Sequence, residues 1–96
     1  MRADYDSEAN AISIVLVDAP HAERGDEVHP RAIVALADGK PVEVQLLYPG
    51  AGIDEPLGIV AARYGLDREA LNAAAQSALA APDRVVVVEV AARATA

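Results

Sequence analysis

The stretch "RAIVALADGKPVEVQLLYPG", residues 31–50, decides how this chain is read. Two apolar runs flank Asp38-Gly39, a pair suited to the left-handed backbone angles of a two-residue hairpin turn. Residues 33–37 and 42–47 are therefore expected to pair antiparallel. Pro41 falls at the start of the second strand, where a missing N–H is tolerable. Val42, Val44 and Leu46 share one side of that strand and Glu43 and Gln45 the other, so one sheet face is buried and the other partly wet.

Upstream, "AISIVLV" (residues 11–17) alternates Ile12, Ile14 and Leu16 with Ser13, Val15 and Val17, the period of a strand. "RAD" (residues 2–4) is long enough to be its short antiparallel partner, with "YDSEAN" as the bend between them. Asp4, Asp6 and Glu8 alternate there and offer hard oxygen ligands for Ca²⁺ or Mg²⁺. A calcium loop needs more ligands and a glycine-supported turn, so the structural reading prevails: Asp6 or Asn10 accepts backbone N–H bonds and stabilises the bend. No metal or cofactor is expected. Residues 19–30 mix Pro, Gly and charge, which predicts an exposed, mobile loop. It carries Glu23, Asp26 and Glu27 between His21 and His29.

Downstream the period changes. Asp54 is the expected N-cap of a helix with Glu55 and Pro56 in its first turn, Leu57, Val60, Ala61 and Tyr64 on one stripe, and Gly65 closing it. Asp67 can cap a second helix, whose Leu71, Ala74, Ala75 and Ala78 share a face with Leu79 at its edge. Pro82 stops that helix, and "RVVVVEV" (residues 84–90) reads as a strand with Val86, Val88 and Val90 toward the helices. Val85 and Val87 would then face outward, a liability on an edge unless another strand or another copy covers them. The architecture expected is α+β: an antiparallel β-meander with two short helices packed on one face and a C-terminal Val-rich strand returning to the sheet. One domain spans residues 1–96, divided into a meander half (1–50), a helix-helix-strand half (51–90) and a tail (91–96).

Composition narrows the function classes. There is no Cys, which removes disulfides and thiolate chemistry. With no Phe or Trp, only three Tyr remain as stacking platforms for single-stranded nucleic acid. The formal charge of -7 opposes phosphate backbones and anionic lipid and makes a cationic partner the easier inference. The first thirty residues hold seven acids and two bases, so the imbalance lies toward the N-terminal side. The chain has neither a membrane-length apolar stretch nor a basic leader, which points to a soluble cytoplasmic protein.

Tyr5, Asp6, Glu8, Ala9, Asn10, Ala11 and Ile12, followed by the Asp38-Gly39 hairpin, resemble the bacterial domain of unknown function 2283 family. Its members start with Tyr-Asp, a spacer and Glu-Ala-Asp-Ala, and continue through an acidic loop into an Asp-Gly hairpin. Asn10 stands where Asp is commoner, and Pro41-Val42-Glu43-Val44 departs from the usual Val-Val-Gly-Ile rhythm. The resemblance covers roughly the first half. It implies no chemistry for individual residues. Some relatives look like partners of small toxin-like proteins in two-gene modules, which permits an antitoxin or regulatory role.

Three function classes compete. The first is a non-catalytic protein-interaction or regulatory module: an acidic rim of Asp4, Asp6, Glu8, Glu23, Asp26 and Glu27 meets a basic protein or toxin, and apolar surface supplies the lasting contact. Val exposure and the small core favour a homodimer as well. The second is a helix-turn-helix-like DNA regulator presenting Arg63, Arg68, Asn72 and Gln76, a set poor in bases on an acidic chain. The third is a small enzyme using carboxylates or His; Ser7, Ser13 and Ser77 lack the "GxSxG" setting of a hydrolase nucleophile. The interaction module is the expectation carried forward, with no catalytic residues, no membrane association and nucleic acid disfavoured.

Overall fold

A computed structural model describes residues 1–19 and 21–88. Six strands form one sheet: β1 (Arg2–Asp6), β2 (Ala11–Val15), β3 (Arg24–His29), β4 (Ala32–Ala37), β5 (Lys40–Leu47) and β6 (Val85–Val87). Two helices, α1 (Asp54–Tyr64) and α2 (Arg68–Ala80), lie between β5 and β6 in the chain. The strand order is β3-β4-β5-β2-β1-β6, and every neighbouring pair is antiparallel. This is the α+β arrangement read from the sequence, with both helices on one face and the Val-rich strand returned to the sheet beside β1.

The hairpin at residues 38–39 forms for the reason its sequence suggests. Asp38 (φ 53°) and Gly39 (φ 74°) are both left-handed, and Ala37 pairs with Lys40 across them. The register then shifts between Ala35 and Leu36, with Pro41 opposite Leu36 and Glu43 opposite Ala35. The extra residue, Val42, turns its carbonyl to the end of β2, where it accepts from the N–H groups of Leu16 (2.8 Å) and Val17 (3.2 Å). A bulge thus joins the hairpin to the neighbouring strand.

Three expectations require correction. The first bend is shorter than "YDSEAN", because Tyr5 pairs with Ile12 and Asp6 with Ala11 as strand residues. Residues 24–29 are a strand, not a mobile loop: backbone pairing with β4 places them at the sheet edge, where one hydrogen-bonded neighbour suffices and charges are tolerated. Their charges hid the strand from any search for apolar alternation. The N-cap of α1 is Ile53, without a side-chain cap, and Asp54 is the first helical residue. Its carboxylate turns to α2 instead, which satisfies Arg68 and Asn72 rather than its own helix.

The other helix signals act as their chemistry dictates. Gly65 closes α1 in the left-handed region (φ 65°), with the Leu66 N–H returning to the Ala61 carbonyl at 2.9 Å. Asp67 caps α2 by accepting from the Ala70 N–H at 3.1 Å. Leu57, Val60 and Ala61 of α1 and Leu71, Ala74, Ala75 and Ala78 of α2 are buried, and all share one cluster with Ile12, Ile14, Val34, Val44 and Leu46. Each alanine buries little, so the two helix leucines and the sheet's Ile and Leu carry most of the burial, about 1.5–3 kcal/mol apiece. Val86 and Val88 are partly buried against that cluster, while Val90 and the tail lie outside the described residues.

Candidate functional site

Helices cover one face of the sheet and leave the other without a second layer among the described residues. Strand alternation decides what that bare face presents. The pairings align one row across all six strands, Val85-Asp4-Ser13-Gln45-Ile33-Glu27, and beside it a second, Val87-Arg2-Val15-Glu43-Ala35-Gly25. Val85 and Val87 are 66 % and 73 % exposed, among the most exposed large apolar residues of the protein. Val15, Ile33 and Ala35 are half-buried.

Asp4 and Glu43 stand between the apolar residues of these mixed rows. Ser13 Oγ donates to Glu43 Oε2 at 2.5 Å, which fixes Glu43 diagonally across the β2–β5 boundary. Asp4 pairs with Ser13 from the other side. Its carboxyl is pushed above the usual range, first by partial burial and then by the negative charges of Glu43 and Asp6. Arg2, the cation of these rows, is occupied by Asp18 at 2.7 Å.

The six acidic residues singled out from the sequence do not form one rim. Asp4 and Glu27 lie on the bare face in the same row, four strand spacings apart, or about 19 Å. Asp6 works in the turn, where its Oδ1 accepts from the Glu8 and Ala9 N–H groups at 3.0 and 3.1 Å, and Glu8 projects into solvent there. Glu23 accepts from the Asp38 N–H at 2.9 Å and steadies the central hairpin. Asp26 points to the helical side, where it takes the Tyr64 hydroxyl and, at 3.1 Å, Arg63 Nε. Hydrogen bonding to Asp26 holds the Tyr64 hydroxyl above its usual pKa.

The four residues of the DNA reading meet similar fates. Arg63 is paired with Asp26, while Arg68 Nη2 and Asn72 Nδ2 reach Asp54 at 2.8 and 3.1 Å. Gln76 is exposed. The polar groups of α1 and α2 thus fasten the helices to each other and to β3.

His29 and His21 separate in space. His29 Nδ1 accepts from the Arg31 N–H at 3.0 Å and its Nε2 lies 3.6 Å from Glu55, whereas His21 lines a cleft of about 230 Å³ with Arg2, Asp18 and Glu43. A second shallow cleft of about 270 Å³ lies among Asp4, Asp6, Asp83, Arg84 and Val85. Among the described residues no group of three or more His, Asp or Glu is placed to hold a metal ion, and no helix is long and apolar enough to cross a membrane.

Sequence reasoning placed Glu43 on the wet side of β5 but missed its part in the site. Its neighbours Asp4 and Ser13 come from β1 and β2, and the β2–β5 pairing joins residues about thirty apart with no local signal. No family model, curated protein or solved structure matches this chain.

Proposed function

We propose that this protein is a non-catalytic interaction module, working in the cytoplasm, that binds a basic protein on the bare face of its sheet. The observation that carries this reading is the setting of Asp4, Glu43 and Glu27 among Val15, Ile33, Val85 and Val87 on one uncovered surface. Asp4, its pKa raised by partial burial and then by the charges of Glu43 and Asp6, gains when a Lys or Arg approaches, and the surrounding apolar side chains gain when water is displaced. The charge therefore governs encounter and orientation, while the valines and Ile33 govern residence.

The resemblance of the first half to a family with toxin-partnered relatives agrees with a regulatory role for such binding. DNA recognition ranks below it because Arg63, Arg68 and Asn72 already have carboxylate partners within the chain. A carboxylate-based enzyme ranks below it because Asp6, Glu23 and Asp26 are used for turns and helix docking.

Co-purification from native extract at low and moderate salt tests the proposal, with the Asp4→Asn/Glu27→Gln/Glu43→Gln triple variant beside the wild type. A basic protein retained by the wild type, weakened by salt and lost from the variant is the expected result. Recovery of the chain alone at both salt concentrations would sink the reading.

A further inference from the structure

The two edges of the sheet are treated differently. β3 bears Arg24, Asp26 and Glu27, breaks its register between Glu27 and His29, and is followed by Pro30, all devices that discourage another strand from pairing there. β6, the opposite edge, is three valines with no Lys, Pro or bulge. Among the described residues nothing pairs with its outer side.

Backbone parity defines what that side offers. Val88 N–H donates to the Met1 carbonyl at 2.9 Å, so Val88 turns its backbone polar groups toward β1. In an antiparallel ladder this direction alternates, and Val86, opposite Ala3, does the same. Val85 and Val87 therefore direct their N–H and C=O groups away from the sheet, and their side chains stand on the bare face beside Asp4 and Arg2.

We infer that this edge is a self-association surface: β6 pairs antiparallel with β6 of a second copy about a two-fold axis through Val86, joining two sheets into one of twelve strands. Val85 of each copy then exchanges hydrogen bonds with Val87 of the other, satisfying the outward groups.

Charge selects both the occupant and the register. Two copies meeting through their bare faces would bring Asp4, Glu27 and Glu43 of each against the same acids of the other. At the β6 edge Arg2 and Arg84 stand among Asp4, Asp6, Asp18 and Asp83, so both signs of charge are present for the same edge of a second copy to meet. In the Val86-centred register Asp4 shares a row with Arg2 of the second copy. A register one pair either way would align Asp4 with Asp4 or Arg2 with Arg2. The described strand is only three residues long, a junction short of the roughly 1,000 Å² typical of a stable interface. The association is therefore reversible and concentration-dependent. It leaves both bare faces on one side of a continuous sheet, so it is compatible with partner binding and independent of it.

Sedimentation of the full chain across roughly a hundred-fold concentration range tests this by mass action. The wild type should pass from monomer to dimer, and amide exchange at Val85 and Val87 should slow as dimer forms. Val87→Pro deletes an N–H that the monomer leaves unpaired, and Val85→Lys/Val87→Lys sets charge on exposed positions. Both variants should keep the wild-type circular dichroism and remain monomeric. A wild type that stays monomeric throughout, or a dimer that survives in the folded lysine variant, would overturn the inference, the second by placing the interface elsewhere.

Discussion

Asp83 accepts two hydrogen bonds from Ser7, one from its backbone N–H at 2.9 Å and one from its hydroxyl at 2.7 Å, across 76 positions of sequence. The contact binds the turn after α2 to the first hairpin, and Asp83 holds a left-handed φ of 63° in doing so. It thereby aligns β6 with β1, a pairing begun where the Asp83 N–H meets the Tyr5 carbonyl at 2.8 Å.

The Ser7 N–H and hydroxyl lower the Asp83 pKa below the usual aspartate value of 3.8. The depressed value means that this carboxylate stabilises the fold fully above pH 3.8, and that the contribution is lost as pH falls through the lower folded-state pKa. Ser7→Ala should reduce the acid sensitivity of unfolding in that window and speed amide exchange in β6. Urea titrations at neutral pH and below pH 3.8, wild type against variant, measure the difference. An unchanged pH profile would contradict the role given to Ser7.

Asp4 has the opposite sign. Burial and the charges of Glu43 and Asp6 raise its pKa, so the folded chain retains the proton while the unfolded chain ionises as pH rises from 3.8. Stability falls through that window, up to the raised folded-state value, and stays lower above it. Asp4→Asn should raise the thermal midpoint at neutral pH while weakening capture of a basic partner. Gains in both would separate the stability effect from the proposed binding role and argue against the latter.

Arg31 clamps the segment between β5 and α1. One guanidinium nitrogen donates to the carbonyls of Leu47 (3.4 Å), Tyr48 (3.0 Å) and Gly52 (2.9 Å), and Tyr48 and Gly52 both have positive φ, 48° and 115°. Arg31→Ala should cost about 1–3 kcal/mol in urea unfolding, the scale of charge-assisted hydrogen bonds left unmade. Arg31→Lys should recover part of that, since the ammonium has three N–H donors but sits on a shorter side chain than the guanidinium nitrogen it replaces.

Leu57 and Leu71 are the largest side chains that the helices bury, at 0 % and 1 % exposure. Their surroundings are rich in alanine, which has no side chain able to swing into a vacated space. Either Leu→Ala change should cost about 2–5 kcal/mol by equilibrium denaturation. For a domain whose total stability is about 5–15 kcal/mol that is a large fraction. A cost under 1 kcal/mol would mean the helix layer closes over the gap.

Where a residue's task involves only its near neighbours, the sequence by itself determined the outcome. Asp38-Gly39 turns the hairpin, Gly65 ends α1, Asp67 caps α2, and the alternation of Val42, Val44 and Leu46 selects the covered face. These depend on backbone angles and side-chain direction within a few positions. Tertiary structure decided the rest. It made a strand of residues 24–29 through backbone bonds to β4, drew Asp54 from capping its own helix to hold Arg68 and Asn72, and set Asp26 against Tyr64 and Arg63. It also brought Asp4, Ser13 and Glu43 together on three adjacent strands. The physical reason is that a backbone N–H or C=O is the same at every residue, so the partner a strand finds is settled by packing and register across the whole sheet.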